Sequence, residues 1–486
     1  MKDNALTVGR AARSLHQAVV ATFHPEGTLP TQSPLLTDLP YRFRFVPAAE
    51  ALMHILELSD FYRPVIGGLE RHVETFSREL VRLGHTVTVV TLQTGDHPAE
   101  EKLDGVRVLR IRGWSGALTA FHADATRPFH PTAPDPGAMA VMRRVIQQER
   151  PDVVHSHSWL QYSYFPLHHR QRGPAHVVTL HDYGLTCAKK TLQHVTRRLA
   201  NSADSTPSEP QTAHLSRPCS GPRLAKCLSC APDQYGVLKG TAITTGLRAS
   251  RVLHGRADCY IAISTAVADG SRQALPSRFE IVVIPTMVPN HLPALARSTP
   301  RPTFLPSEDG YLMFVGALGR HKGVDVLLEA RRRMRNRPPL VLIGTPRADT
   351  PRIDDPEVII AHNVPSAQVM ASWLRASAAV VPSVWNEPMG QVAIEAMLVG
   401  RAVVASDVGG LRDVVEHGAT GLMVPPGDPG ALAAALDSLL DDPETRQRIG
   451  ETGRQRARQF EAAAVAPRIV EVFEDVLLRR AGAAHR

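Results

Sequence analysis

Two glutamates eight positions apart, Glu387 and Glu395, bracket the otherwise apolar or small segment EPMGQVAIE. The apolar run AAVVPS ends at Ser383 and a helix pattern begins near Gly390, which places Glu387 in a strand-to-helix loop and Glu395 in the first helical turns. Eight helical steps span about 12 Å. Carboxylates accept hydrogen bonds from paired hydroxyls, whereas a helix N-terminus attracts phosphate. The spacing therefore suits a nucleotide diphosphate-sugar, with sugar and ribose hydroxyls at its two ends.

Plainer structural explanations stay open for these acids and for two histidines. Glu387 would then be an exposed loop acid and Glu395 a solvated helix residue, because two glutamates at this spacing are common by chance. His155 and His157, in VVHSHSW, alternate on a predicted strand and therefore share one of its faces. We expect the two histidines to have a structural or cleft-lining role rather than a metal-binding one.

A polar, Pro- and Ser-rich segment, residues 187–240, contains four of the five cysteines: Cys187, Cys219, Cys227 and Cys230. Four thiolates that include a Cys-x-x-Cys pair suit a structural zinc, which would supply folding energy to an insertion without a core of its own. Reduced thiols, disulfides and an iron–sulfur cluster are the alternatives, and a cytoplasmic location argues against disulfides. The fifth, Cys259 in CYIAIS, is expected to be a buried thiol.

Strand patterns alternate with helix patterns in two parts of the chain. In the first part, MHILELS precedes the helix pattern GLERHVETFSRELVRLG, in which apolar residues recur every three or four positions and Gly84 is placed to end the helix. Continuous Val- and Ile-rich runs are typical of strands buried on both faces. The later runs in the first part are TVTVVTL, DVVHSHS, HVVTLHD, CYIAIS and FEIVVIP. Those in the second part are YLMFVGA, LVLIG, VIIA, AAVVPS, AVVAS and GLMVPP.

This alternation predicts an α/β fold of two doubly wound, Rossmann-like domains that face each other across a ligand-binding cleft. The Pro-rich, polar segment before the second part predicts a linker. The expected divisions are an N-terminal extension, 1–46; a first domain, 47–290, with an insertion at about 187–240; the linker, 291–310; a second domain, 311–465; and a C-terminal helix or tail, 466–486.

Charge and hydropathy exclude some classes of protein. The formal net charge is +8 and the pI about 9.4, which indicates either an ordinary Arg-rich surface or a preference for phosphate-bearing ligands and anionic membranes. No nucleic-acid-binding module accompanies the charge, so we expect no nucleic-acid partner. No run of about 18 apolar residues and no secretory signal is present, which predicts a cytoplasmic location with peripheral membrane contact left open.

Several motifs in the same order resemble those of family 4 glycosyltransferases, retaining enzymes of the GT-B fold. The segment SVWNEPMGQVAIEAMLVGRAVVASDVGGLRDVVEHGATGLMVPPGD resembles the family's donor-binding signature. YRPVIGGLERHVETFSRELVRLGHTVTVVT is similar to its Gly-Gly loop and first helix, and FVGALGRHKGVDVLLEA to its phosphate-binding segment. The resemblance covers most of residues 51–475.

The resemblance assigns expected roles around a nucleotide-sugar donor. Glu387 would contact sugar hydroxyls, Glu395 the ribose, and Lys322 the diphosphate, where its charge stabilises the leaving group. His181 of TLHDYG would approach the donor sugar. Backbone and charged groups complete the expected donor site: Gly67 and Gly68 by close backbone approach, Met389 and Gly390 by their N–H groups, and Arg320 by its charge. Taken alone, Lys322 would be a surface lysine and His181 a histidine with structural hydrogen bonds.

The chain departs from the family pattern at three positions. Ala317 stands where the family has an arginine after the glycine of FVG, and Arg320 would have to supply that charge with different geometry. Thr286 replaces an asparagine. The usual GG-x-P-E is GGLRD, with Arg412 and Asp413. The details of the phosphate contacts therefore differ from those of the family.

The implied reaction is transfer of a hexosyl or N-acetylhexosaminyl group, with retention, from a nucleotide diphosphate-sugar to a glycan, a lipid-linked sugar or a small metabolite, as in polysaccharide biosynthesis. No Asp-x-Asp motif occurs, so we expect no metal or other cofactor in catalysis. The alternatives are a catalytically silent binding or scaffold protein of the same fold, a nucleotide-sugar epimerase, and a phosphorylase that uses pyridoxal phosphate. The donor base, the sugar and the acceptor are not predicted by these motifs.

Overall fold

The strand patterns of both parts of the sequence form strands in the computed structural model. The structure describes residues 52–65, 67–117, 128, 130–198 and 213–484. The predicted extension at residues 1–46 lies outside the described residues.

The first part of the described chain forms an eight-stranded sheet with the order β10-β9-β6-β5-β1-β2-β4-β3. Neighbouring strands are parallel, apart from β3 and β4 at one edge. The strands are β1 His54–Leu58, β2 Thr86–Leu92, β3 Glu100–Leu103, β4 Val106–Ile111, β5 Val153–Ser156, β6 Ala175–Leu180, β9 Cys259–Ala262 and β10 Ile281–Val283. The edge pair β3–β4 was not anticipated from the sequence.

The second part forms a parallel six-stranded sheet with the order β13-β12-β11-β14-β15-β16. Its strands are β11 Leu312–Val315, β12 Leu340–Ile343, β13 Val358–Ala361, β14 Ala378–Val381, β15 Ala402–Ser406 and β16 Gly421–Val424. Most side chains of these strands are buried, which explains their continuous apolar runs.

Helices cover both sheets. They are α1 Gly68–Arg82, α2 Pro136–Glu149, α3 Gln161–Tyr164, α4 Leu224–Cys230, α5 Pro232–Tyr235, α6 Val237–Ala249, α7 Thr265–Arg272, α8 Leu292–Ser298, α9 Val324–Arg333, α10 Ser366–Trp373, α11 Gln391–Leu398, α12 Leu411–Val414, α13 Pro429–Asp441, α14 Pro443–Ala457 and α15 Ala462–Ala484.

The predicted helix after β1 is confirmed. Its apolar face is buried at Val73, Phe76 and Leu80, and Gly84 follows its end with φ of +96°. This backbone conformation costs a glycine little, so Gly84 ends the helix as predicted.

The predicted linker, 291–310, contains a helix in its first half. Residues Leu292–Ser298 form α8, which packs against α10 beside the second sheet. Leu292 and Ala296, four positions apart, are buried on one face of α8. Pro293 does not oppose this helix because proline is tolerated in a first turn. The proline-rich composition therefore did not indicate the helix within this segment.

The last helix, α15, begins before the predicted tail and returns to the first sheet. Val465, Ala466, Ile469 and Phe473 share a core cluster with side chains of α1. The ring of Phe473 lies 6.2 Å from that of Phe76, centroid to centroid. The C-terminal helix is thus part of the core under the first sheet.

The predicted insertion lies between β6 and β9, which are adjacent in the sheet. It contains the antiparallel pair β7 Gln193–Arg198 and β8 Ala213–Pro218, followed by α4 and α5 and the start of α6. Residues 199–212 are outside the described part. No helix within the described ranges has the length and apolarity needed to cross a membrane. Peripheral contact with anionic lipid stays a prediction.

Candidate active site

Glu387 and Lys322 meet in the loops that follow two neighbouring strands, β14 and β11. The ammonium of Lys322 lies 2.9 and 2.7 Å from the two carboxylate oxygens of Glu387. Ser383 Oγ and Trp385 Nε1 also donate to Oε2 of Glu387, at 3.0 and 2.9 Å. Burial alone would raise the pKa of the Glu387 carboxyl, but Lys322 and these donors hold it below its usual value. Glu387 is therefore a buried, ionised acceptor rather than an exposed loop acid.

A glycine allows Lys322 to reach this position. Lys322 ends the short 3-10 turn Arg320–Lys322, and Gly323 follows with φ of +73°. A Cβ on Gly323 would overlap the carbonyl oxygen of Pro382, at the end of β14. The side chain of Arg320 is exposed, and its backbone N–H donates to Asp349. Arg320 is thus near the site but does not line the Glu387–Lys322 contact.

The loop from Glu387 to Gly390 is held by a pair of glycines. The N–H of Gly410 donates to the carbonyl of Glu387 at 2.7 Å, and a side chain on Gly409 would overlap the backbone of Glu387. Gly390, with φ of +91°, leads into α11, and Met389 is buried. The N-terminus of α11 therefore lies directly after the Glu387 loop, and the predicted role of Met389 and Gly390 at a donor stays a prediction.

Glu395 lies on α11 and approaches the first part of the molecule. Its side chain is 13% exposed, and the nearest cation is Arg71 of α1, with Nη1 at 3.8 Å from Oε1. Burial raises the pKa of this carboxyl, and Arg71 offsets only part of that effect. The free-energy cost of removing the Glu395 carboxylate from water is therefore offset only in part by Arg71.

Gly68 brings the N-terminus of α1 against that of α11, whereas a Cβ on Gly67 would meet the carboxylate of Glu70 on α1 itself. A Cβ on Gly68 would lie 3.1 Å from the side-chain oxygen of Gln391, the first residue of α11. The amide of Gln391 also donates to the carbonyl of Met287 at 3.5 Å. Two helix N-termini from opposite sheets thus face each other, an arrangement that favours an anion between them.

His181 directly follows β6 and is the end of a chain of buried polar groups. Its Nε2 lies 2.9 Å from Nδ1 of His157, and Nε2 of His157 contacts the carboxylate of Glu57. His72 of α1 packs edge-on against the His181 ring, with centroids 4.6 Å apart. Burial is the main cause that lowers the pKa of His181 well below its usual value, and the neighbouring histidines lower it further. His181 is therefore a neutral imidazole at neutral pH.

Sequence reasoning missed Glu57 and His72. Glu57 is fully buried in β1 and contacts both His155 and His157. A charged residue in the middle of the apolar run MHILELS was the available signal, because an ionisable side chain in a parallel strand requires buried partners. The expectation that His155 and His157 have a structural or cleft-lining role agrees with these contacts.

The cysteines of the insertion are unpaired, and Cys230 is buried. In the described part of the chain, two groups of three side chains have ligand atoms within 4.8 Å of one another: His72, His157 and His181, and Glu57, His155 and His157. Neither includes a sulfur. The structural zinc at Cys187, Cys219, Cys227 and Cys230 thus stays a prediction.

Two family models match consecutive parts of the chain. Residues 66–217 match "Glycosyltransferase Family 4", and residues 297–456 match "Glycosyl transferases group 1". The first match includes Gly67, Gly68 and His181, and the second includes Lys322, Glu387 and Glu395. The matched segments therefore contain the candidate site on both sides of the cleft.

Individual relatives agree with these matches over different lengths. The D-inositol 3-phosphate glycosyltransferase of Corynebacterium glutamicum is 34% identical over 221 residues, 42% of this chain and 53% of that protein. The match thus spans about half of this relative's length. The glycogen synthase of Mycobacterium tuberculosis is 29% identical over 87% of this chain and 94% of its own.

Two solved structures share the arrangement of both sheets. Sucrose-phosphate synthase from Thermosynechococcus elongatus has a TM-score of 0.62 at 22% identity, covering 88% of this chain and 100% of its own. Anabaena HepE in complex with UDP and glucose has a TM-score of 0.58 at 19% identity, covering 87% and 100%. These likenesses concern the fold. The chain therefore has the GT-B fold, and the two matched models together cover more than half of it and show that it belongs to glycosyltransferase family 4.

Proposed function

We propose that this chain is a retaining glycosyltransferase that transfers a sugar from a nucleotide diphosphate-sugar to a hydroxyl-bearing acceptor. One observation carries the proposal: Glu387, Lys322 and Glu395 lie around the N-terminus of α11, which faces the N-terminus of α1. Lys322 and the helix N-terminus would complement the negative diphosphate, and the carboxylates of Glu387 and Glu395 would accept hydrogen bonds from the hydroxyls at the two ends of a nucleotide diphosphate-sugar. UDP-glucose, which is present in a solved structure of Anabaena HepE, has a diphosphate between two hydroxyl-bearing sugars.

Each charged group then has a distinct task. Lys322 and the helix N-terminus stabilise negative charge on the diphosphate as the bond from the anomeric carbon to the phosphate oxygen breaks. Glu387 accepts hydrogen bonds from sugar hydroxyls, and Glu395 accepts them from the ribose. The leaving phosphate oxygen takes the proton of the acceptor hydroxyl, which attacks the same face of the sugar. No other base is then required.

The Lys322–Glu387 ion pair implies competition between ligand and protein. A diphosphate that approaches the ammonium replaces part of its contact with Glu387, and this frees carboxylate lone pairs for sugar hydroxyls. The ammonium of Lys322 lies close to the diphosphate. Its positive charge then takes the place of the divalent cation that many phosphate sites use. We therefore propose that turnover is insensitive to chelators.

Turnover of UDP-, GDP- and ADP-sugars is the test, measured as release of the nucleoside diphosphate in the presence of a panel of glycan and small-molecule acceptors. We expect one donor class to be consumed by the wild type. Glu387→Gln should lower kcat on the order of a hundredfold, since an acceptor for the reacting sugar is lost. Glu444→Gln, an exposed acid on α14, is the matched control and should leave the rate unchanged.

Other outcomes identify the competing functions. A change in the donor sugar without any acceptor would indicate an epimerase. Dependence on pyridoxal phosphate, visible in the absorption spectrum, would indicate a phosphorylase. Donor binding without turnover in any acceptor mixture would indicate a catalytically silent protein of the same fold.

A further inference from the structure

The inference concerns the buried polar groups behind His181, and it rests on the proposed function. Glu57, His155 and His157 have 0–3% exposure, and they lie at the carboxyl ends of neighbouring strands β1 and β5. Buried ionisable side chains are costly unless every polar atom has a partner. A group of this kind directly behind a candidate site residue requires a physical explanation.

The carboxylate of Glu57 determines which ring nitrogen of His157 carries a hydrogen atom. Burial would raise the pKa of Glu57, but His155 and His157 lower it to about 2, so Glu57 is ionised and can only accept. His157 therefore donates from Nε2. Burial lowers the pKa of His157 to about 4, so this ring is neutral and its Nδ1 is an acceptor.

The same reasoning reaches His181. Because Nδ1 of His157 accepts, the 2.9 Å contact requires that His181 donates from Nε2. His181 is neutral, so its remaining nitrogen, Nδ1, carries a lone pair. Among the described residues no hydrogen-bond partner contacts this Nδ1. The carboxylate thus sets, through His157, the only hydrogen-bonding role that Nδ1 of His181 can have.

We propose that Glu57 and His157 are positioning residues that hold His181 as the Nε2–H tautomer, so that its Nδ1 accepts a hydrogen bond from a hydroxyl of the donor sugar. A histidine with the opposite tautomer would present an N–H at the same place and would orient the hydroxyl differently. The edge-on contact with His72 restricts rotation of the ring and preserves this orientation.

A metal ion bound by His72, His157 and His181 is the competing explanation for the cluster. The 2.9 Å separation between the His157 and His181 nitrogens is that of a hydrogen bond. Two nitrogens bound to one tetrahedral zinc at 2.0–2.1 Å are separated by about 3.3 Å. The contact in the structure therefore favours a shared proton over a shared metal.

The tautomer can be read directly from the ¹⁵N shifts of histidine-labelled wild-type protein at pH 7.5, without any substrate. We expect a protonated Nε2 and an unprotonated Nδ1 for His181, with His181→Asn used to assign the signals. An Nδ1–H tautomer or a charged ring would overturn the proposal. So would one equivalent of metal in the purified protein that is lost in His72→Ala.

Two substitutions of His157 separate positioning from packing. His157→Gln can donate to Glu57 and accept from His181, so it should keep the His181 tautomer and most of the activity. His157→Leu can do neither, so it should mix the tautomers and lower kcat on the order of ten- to a hundredfold, with a smaller change in KM. Equal rates for the two variants, in folded protein, would overturn the proposal.

Thr179→Val is the control within the same cluster. Thr179 Oγ lies 2.7 Å from Nε2 of His155, on the other side of Glu57 from His181. The variant should leave the His181 tautomer and the rate unchanged. A change in either would contradict the proposal that Glu57 acts on His181 through His157. A wild type that turns over no nucleotide sugar would overturn the proposed function. The tautomer measurement would still show whether Glu57 and His157 hold His181 as the Nε2–H tautomer.

Discussion

At the scale of single residues, the two glutamates of EPMGQVAIE have opposite electrostatics. The pKa of Glu387 is lowered because Lys322, Ser383 and Trp385 outweigh its burial, whereas burial raises the pKa of Glu395 because only Arg71 compensates. A folded-state pKa above the unfolded value means that stability is lost as pH rises through that range. Glu395 therefore costs stability at neutral pH, as expected of a group retained for ligand binding.

Glu395→Gln should accordingly raise Tm by a few degrees at pH 7.5 and weaken nucleotide binding by about tenfold, because the amide does not replace an ionised acceptor. Calorimetric unfolding with and without nucleotide measures both effects. Glu444→Gln, at an exposed position, should change neither. A loss of stability in Glu395→Gln would show that the carboxylate is compensated in the folded state.

At the scale of secondary-structure elements, the turn at Gly323, between Lys322 and α9, positions Lys322 against Glu387. Gly323→Ala would place a side chain at φ of +73° and against the carbonyl of Pro382, so it should lower the free energy of unfolding by about 2 kcal/mol or more and displace Lys322. Gly418→Ala is a matched control, with φ of +78° and open space around its Cβ. It should cost only the backbone strain. Urea unfolding compares the two, and equal losses would show that the close approach to Pro382 is unimportant.

At the scale of the whole molecule, buried histidines should make the fold sensitive to mild acid. The pKa values of His157 and His254 are lowered to about 4 by burial, and those of His72, His130, His176 and His181 are also lowered. Below pH 6.5 the unfolded chain takes up protons that the folded protein does not. Each such histidine then removes about 1.4 kcal/mol of stability per pH unit until its folded-state pKa is reached.

Urea unfolding at pH 7.5, 6.5 and 5.5 tests this sensitivity. We expect a loss of about 2 kcal/mol between the first two values and a steeper loss between the second and the third. Glu395 acts in the opposite direction but is one group against several. Glu57, whose pKa is about 2, contributes stability that is lost only below about pH 4.5, outside this range. A constant free energy of unfolding from pH 7.5 to 5.5 would contradict the claim that these buried histidines stay neutral in the folded protein.

The sequence predicts those features of the molecule that depend on local pattern. The twelve predicted strand runs form strands because continuous apolar runs are buried on both faces of a parallel sheet, and α1 forms because its apolar residues recur at helical spacing. Helix α8 was not predicted, because composition, rather than the spacing of Leu292 and Ala296, was used for that segment. The Glu57–His157–His181 contacts could not be predicted, because they depend on β1, β5 and β6 being neighbours in the sheet. The Lys322–Glu387 pair likewise depends on β11 lying beside β14.

Nucleotide binding measured by calorimetry tests the central claim most directly, that Lys322, Glu387 and Glu395 surround a nucleotide diphosphate-sugar. UDP, GDP and ADP would be titrated into the wild type, Glu395→Gln and Lys322→Met. We expect one nucleoside diphosphate to bind, to stabilise the fold by about 2.7 kcal/mol at 100 times its Kd, and to bind about tenfold or more weakly to each variant. Absence of binding to the wild type, or equal affinity in all three proteins, would contradict the account.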